Sequence, residues 1–205
     1  MKLFSGGRAP NPRRVSIFLK EKGLEIETID LDLNKLEQRS PEFAAINPMM
    51  TLPVLVLEDG TVIAESVAIS RYLESLQPEP PLFGVDALDA AIVEMWQRRV
   101  ELNFMLPVSF AFRHLHPGGA ILEGVQIHEW GETGQARARK FMEFLEVELA
   151  RREFIAGDRF TIADISAIVA YQFLRAGRIE PPTDLPNLKR WADAVGARPS
   201  VAVAK

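Results

Sequence analysis

The 205-residue chain contains no cysteine. A disulfide framework, a thiolate metal site and a cysteine nucleophile are therefore all excluded. Histidine is scarce as well. His114, His116 and His128 fall in one stretch with no carboxylate spacing that reads as a metal site, so no metal is expected and each is read as a satisfied surface residue. A surplus of positive charge is also missing: 24 Lys and Arg stand against 28 Asp and Glu, a formal net charge of -4. Neither a nucleic-acid backbone nor an anionic membrane surface is an expected partner. The paired arginines at Arg13-Arg14, Arg98-Arg99 and Arg151-Arg152 are separated by carboxylates and read as solvated helix faces. No apolar run is long enough to span a bilayer, and the opening MKLFSGGRAPNPRR is too short in apolar residues for a signal peptide. A cytoplasmic location is expected.

What is present reads first as strand, helix, strand. Lys2 to Ser5 is a short apolar start and Gly6 to Asn11 a turn. Val15, Phe18 and Leu19 recur at helical spacing between Pro12 and Lys22, and Gly23 stops them. Asn11 followed by Pro12 reads as a helix cap with proline in the first helical position, where its missing N–H costs nothing. Leu24 to Glu27 alternates like a half-buried strand. After the polar stretch Asn34 to Ser40 comes a short helix candidate at Pro41 to Ala45. The apolar run Val54 to Leu57, the Asp59-Gly60 turn and Thr61 to Ile63 make a hairpin, and Glu65 to Leu76 a further helix. Strand-helix-strand implies a parallel pair, and the hairpin adds antiparallel strands.

Gln77-Pro78-Glu79-Pro80-Pro81 reads as a linker. Strand signals stop there. Helical spacing follows over Asp86 to His114, Gly124 to Arg152, the apolar stretch Thr161 to Leu174, and Leu185 to Val195 with Pro199 just beyond. Thr161-x-x-Asp164 forms a capping box. The expected fold is an α/β thioredoxin-like N-terminal domain over residues 1–77, and an all-α domain over residues 86–205.

Four segments carry a resemblance along almost the whole chain: APNPRRVSIFLKEKG at 9–23, SPEFAAINPMMTLPVL at 40–55, GTVIAESVAISRYL at 60–73 and FIAGDRFTIADISAIVAY at 154–171. In this order and spacing, with the linker between them, the chain resembles the cytosolic glutathione transferase family. The residues alone read Pro53 as a strand-opening proline and Glu65-Ser66 as a helix cap. The resemblance implies more. Pro53 becomes a cis proline that turns the Leu52 backbone toward the cysteinyl part of glutathione. Glu65 accepts from the γ-glutamyl ammonium, and Ser66 with the free N–H groups of its helix takes the carboxylate. Gln38 stands where the family often has histidine and is assigned to the glycyl carboxylate. Thr51 and Met50 replace the family's lysine and glycine, with Arg39 a possible substitute.

Activation of the bound thiol is the chemistry such a protein must supply, because the thiolate is the nucleophile. The family uses a tyrosine, serine or cysteine near the first helix. Here Tyr72 and Tyr171 lie elsewhere, and Ala9 occupies the usual serine position. Asn11 is the catalytic candidate and Ser5 the runner-up, while Asn11 as a helix cap alone stays open. Phe112 and Arg113 are assigned to the second-substrate pocket. The resemblance implies conjugation of glutathione to small electrophiles, or reduction of peroxides or disulfides with glutathione thiols alone, in a homodimer. Glutathione is then a co-substrate, and no cofactor is expected. A non-catalytic binding or scaffold protein is the alternative.

Overall fold

The computed structural model describes residues 1–202. Strand β1 (Lys2–Ser5) leads into helix α1 (Pro10–Lys22), and β2 (Glu27–Asp30) returns parallel to β1, with Lys2 opposite Glu27 and Ser5 opposite Asp30. Two 3-10 turns, Leu33–Lys35 and Glu37–Arg39, precede α2 (Pro41–Ile46). Strand β3 (Val54–Val56) pairs antiparallel with β1, and β4 (Val62–Ala64) antiparallel with β3, before α3 (Ser66–Leu76). The sheet order is β2-β1-β3-β4. This is the thioredoxin-like arrangement, and its core holds Val15, Phe18, Val54, Leu55, Ile69 and Leu73.

Two boundaries in this half differ from the sequence reading. Helix α1 starts at Pro10 with Ala9 as its cap, so Asn11 is the second helical residue and does not cap. The first N–H groups of any helix lack intrahelical partners, so Pro10 and Pro12 both fit there without loss. Strand β2 starts at Glu27, where Leu24 was expected. Gly23 takes a left-handed conformation (φ 63°), and the Leu24 N–H bonds back to Leu19 O, so the residues after it complete the helix exit. Pairing begins only where β1 supplies partners.

The second compact unit, Phe83–Arg198, is helical. It contains α4 (Ala87–Val100), α5 (Leu106–Leu115), the short α6 (Ala120–Glu123), α7 (His128–Leu149), α8 (Ile162–Gln172) and α9 (Pro186–Gly196). Among the described residues no strand follows Ala64. The expected continuous helix from Asp86 to His114 is interrupted by a π turn at Glu101–Met105. Pro107 sits in the first turn of α5, and a proline there cannot complete the ladder of the preceding turn. Helix α7 lies tightly on α5: a Cβ on Gly134 would come within 2.6 Å of Pro107 O, so only glycine allows the approach.

Pro199 does not end the fold but opens a last short helix, α10 (Pro199–Ala202), which groups with the first unit, Met1–Leu82. The sequence alone assigns it to the helical domain. Residues 203–205, the end of that expected domain, lie outside the described residues.

The buried helix α8 shows the expected box. Asp164 Oδ2 accepts from Thr161 N at 3.0 Å and from Thr161 Oγ1 at 3.2 Å. Its Oδ1 accepts from Ile155 N and from Trp191 Nε1, both at 2.9 Å. Burial pushes the Asp164 carboxyl up to about 6 against the pull of these four bonds. Asp164 thereby joins the segment before α8, α8 itself and α9.

Candidate glutathione site

The sheet register assembles one end of the first unit. Phe4 faces Val54 across β1 and β3, and Val54 faces Ala64 across β3 and β4. One residue further on, Ser5, Pro53 and Glu65 therefore share the same sheet end. The Leu52-Pro53 peptide is cis. Gly6 packs close against the Leu52 side chain, since a Cβ there would sit 3.1 Å from it. Asn47, itself buried, braces the loop ahead of Leu52 by donating through Nδ2 to Thr51 O at 2.9 Å and to Thr51 Oγ1 at 3.3 Å. Thr51 is exposed and its polar groups serve this loop.

Ser66 is the first residue of α3, and its hydroxyl is buried against a guanidinium: Arg14 Nη1 donates to Ser66 Oγ at 2.7 Å. Glu65 precedes it with φ 68° and ψ 118°, a backbone conformation that costs a non-glycine residue about 1–3 kcal/mol. Its side chain does not cap the helix. The strained backbone holds an exposed carboxylate beside a helix start that carries no acidic residue in its first turn. An anion acceptor and a cation acceptor thus stand side by side, which suits a zwitterionic head group.

Arg14 is the residue that sequence reasoning missed. The pair Arg13-Arg14 reads in the sequence as a solvated face, yet Arg14 is 1% exposed. The available signal was spacing. Arg14, Phe18 and Lys22 recur every four residues and share one helix face, and all three are buried. Two cations on the face of a buried phenylalanine cannot both be solvated. In the helical unit Arg98 and Arg151 are exposed, whereas Arg99 and Arg152 are half-buried and both lie over the Trp96 ring, at 4.8 and 4.6 Å from its centroid.

Gln38 is buried in the second 3-10 turn, and its Oε1 has no hydrogen-bond partner among the described residues. Asn11 is exposed at the start of α1. Around it the main-chain donors are mostly absent or used: Pro10 and Pro12 have none, Ala9 N bonds Gly6 O, and Arg13 N bonds Ala9 O. The Asn11 N–H is the donor left in that turn. The two second-pocket candidates lie in the helical unit. Phe112 stacks on His116 (5.2 Å) and meets Phe173 (5.0 Å), while Arg113 Nη1 pairs with Glu123 Oε1. His114 is buried rather than superficial, and its Nδ1 accepts from Ile127 N at 3.1 Å.

The glutathione S-transferase N-terminal domain family matches residues 9–76, and the C-terminal domain family matches residues 131–199. The chain belongs to the glutathione S-transferase family. It is 36% identical over 204 residues to glutathione S-transferase 2 of Saccharomyces cerevisiae, covering 98% of this chain and 88% of the yeast protein. Glutathione S-transferase 3 of Zea mays is 31% identical over 98% of this chain and 90% of its own length. The crystal structure of a glutathione S-transferase domain-containing protein from Marinobacter aquaeolei VT8 superposes with a TM-score of 0.94. It is 38% identical and covers 98% of this chain and all of its own. Glu65 and Ser66 lie within the residues that match the N-terminal domain family.

Proposed function

We propose that this glutathione transferase grips glutathione by its γ-glutamyl end at Glu65 and Ser66 and raises the thiolate at the start of α1. The observation that carries the reading is the buried Arg14 beneath Ser66. Its charge and the N-terminus of α3 both favour a carboxylate at that point. The Ser66 hydroxyl accepts from Arg14 and keeps its own hydrogen to donate to the ligand. Glu65 takes the ammonium, the Leu52 main chain takes the cysteinyl unit, and the Gln38 amide takes the glycyl carboxylate. Thr51, one residue before Leu52, shapes the loop through its bonds to Asn47. Asn11 then faces the sulfur with its side-chain amide, its main-chain N–H and the helix N-terminus. Phe112 and Arg113 form part of the wall for the second substrate.

The thiolate attacks a small electrophile, or carries out glutathione-dependent reduction of a peroxide or mixed disulfide. With no cysteine in the chain, every sulfur in such a reduction comes from glutathione or the substrate. No cofactor takes part in this scheme. We place the protein in the cytoplasm, the compartment that supplies reduced glutathione. Among the described residues no helix is long and apolar enough to cross a membrane.

A homodimer is part of the proposal. Leu88, Met95, Leu102 and Leu106 recur at seven-, seven- and four-residue steps along α4, the π turn and α5, and are 73%, 40%, 45% and 42% exposed. Such a stripe suits burial against a second copy. Calorimetry with glutathione tests the site, and turnover against halogenated aromatics, peroxides and mixed disulfides sorts the reaction class. Absence of both binding and turnover overturns the reading. Sedimentation of the wild type against Leu102→Glu tests the dimer, which the added charges should split.

A further inference from the structure

Residues 117–127 form a strap between α5 and α7. Its large apolar side chains, Ile121, Leu122, Val125 and Ile127, are all exposed, so burial contributes little to its attachment. Polar contacts hold it. Pro117 has no N–H, so Arg113 O lacks the helical donor one turn on. Gln126 Nε2 supplies that donor at 2.8 Å and also reaches His116 O at 2.8 Å. Arg113 pairs in addition with Glu123. At the two ends of the strap histidines accept from its main chain. His116 Nδ1 accepts from Gly118 N at 3.0 Å, and His114 Nδ1 accepts from Ile127 N at 3.1 Å. The strap lies directly on Phe112. A Cβ on Gly119 would meet Phe112 O at 2.5 Å, one on Gly118 would meet the Phe112 ring at 3.8 Å, and the His116 ring stacks on Phe112.

We propose that this strap is a pH-sensitive latch over Phe112, closed while His114 and His116 are neutral and released when they take up protons. A ring nitrogen accepts a hydrogen bond only while it carries no hydrogen, so the closed strap holds both rings with hydrogen on Nε2 alone. Protonation puts a hydrogen on Nδ1, which then points at the main-chain N–H it had accepted from. Both ends of the strap lose their bond together, leaving Gln126 and the Arg113–Glu123 pair as tethers. The other titratable groups of this corner lie on the first turns of α7, at His128, Glu129 and Glu132, all exposed. His128 Nδ1 stands 3.5 Å from Glu132. Protonation there adds an attraction, opposite in sign to the effect on the strap, so only His114 and His116 release it. The consequence for catalysis rests on the assignment of Phe112 to the second-substrate wall: acid frees that wall and leaves the glutathione end untouched.

Amide hydrogen exchange on the whole protein, followed by NMR and corrected for its intrinsic pH dependence, reads the latch directly. From about pH 8 to about pH 5, protection of the Gly118 and Ile127 amides is expected to fall about tenfold, the scale of one lost hydrogen bond. The amide of Leu145, buried on α7, is the control for global unfolding. Asparagine keeps an acceptor oxygen where Nδ1 stood and does not titrate. With His114→Asn and His116→Asn combined, protection is expected to stay level over the same range. At saturating glutathione, the KM for chlorodinitrobenzene is expected to rise severalfold on acidification in the wild type relative to this double variant. The proposal fails if both amides keep their protection at low pH in the wild type, or if the double variant loses protection equally. Release of the amides with no change in relative KM would uphold the latch and remove Phe112 from the second-substrate wall.

Discussion

The Arg14 guanidinium donates to Ser66 Oγ at 2.7 Å, and both side chains are buried. One helix thus places a buried cation beneath the start of another. Ser66→Ala removes both the hydroxyl proposed to bind glutathione and a partner of Arg14. Glutathione affinity is expected to fall by about 1–3 kcal/mol, with a stability loss of similar size. Arg14→Met fills the same space without the charge. It is expected to lower glutathione affinity roughly tenfold. Calorimetry and urea unfolding on the two variants separate the effects. Equal glutathione affinity in Arg14→Met and the wild type would remove the arginine from the site.

Asn11 offers two donors, and two substitutions tell them apart. Asn11→Ala removes the side-chain amide and keeps the main-chain N–H; Asn11→Pro removes both in a turn that tolerates proline. One neutral hydrogen bond is worth about 0.5–1.5 kcal/mol, or roughly one pKa unit of a free thiol near 8.5. Turnover is expected to fall roughly tenfold in Asn11→Ala and further in Asn11→Pro, with the pH profile moving upward in both. Ser5→Ala is the control. Full activity with an unmoved profile in both Asn11 variants would assign activation elsewhere.

Lys22 is a buried cation with a complete set of partners. Its side chain is 0% exposed, pairs with Glu74 at 2.5 Å, donates to Pro78 O at 3.0 Å and to Pro80 O, and lies 5.5 Å from the Phe18 ring centroid. Glu74 also accepts from Leu82 N. The ion pair therefore ties α1 to the end of α3 and to the proline-rich linker. Lys22→Met strands a mostly buried carboxylate and is expected to cost about 3–5 kcal/mol in chemical denaturation. Adding Glu74→Gln should recover part of that loss, and strict additivity of the two would argue against direct coupling.

Asp164 gives a pH signature with an unusual sign. Its folded pKa, at about 6, lies above the ordinary value near 3.8. The folded state therefore binds the proton more readily than the unfolded one between those values. This term stabilises the protein fully below pH 4 and is lost as pH rises through 6, by about 2–3 kcal/mol in all. Asp164→Asn does not titrate. The stability advantage of wild type over Asp164→Asn should be largest near pH 4 and shrink toward pH 7, as urea unfolding across that range would read. A constant difference would show that the four hydrogen bonds, not burial, set the protonation state.

Local signals were legible wherever a single segment decides the outcome. Gly23 ends α1 because its left-handed backbone suits glycine, the Asp59-Gly60 turn joins β3 to β4, and Thr161 with Asp164 caps α8. Helical and alternating spacing marked the change from a mixed sheet to helices at the proline-rich linker. The family motifs also named Leu52, Pro53, Glu65 and Ser66, which lie next to or within the elements that bring them together.

What tertiary structure decided were the properties that depend on a distant neighbour. The sequence shows Arg14 beside Arg13 but not the Ser66 hydroxyl 52 residues away that makes burial of a guanidinium tolerable. The start of β2 followed its partner strand rather than its own alternation, and the break in the α4–α5 helix followed Pro107. Spacing along the chain fixes which face a side chain takes. Only packing determines whether that face meets water, a charge or another hydroxyl.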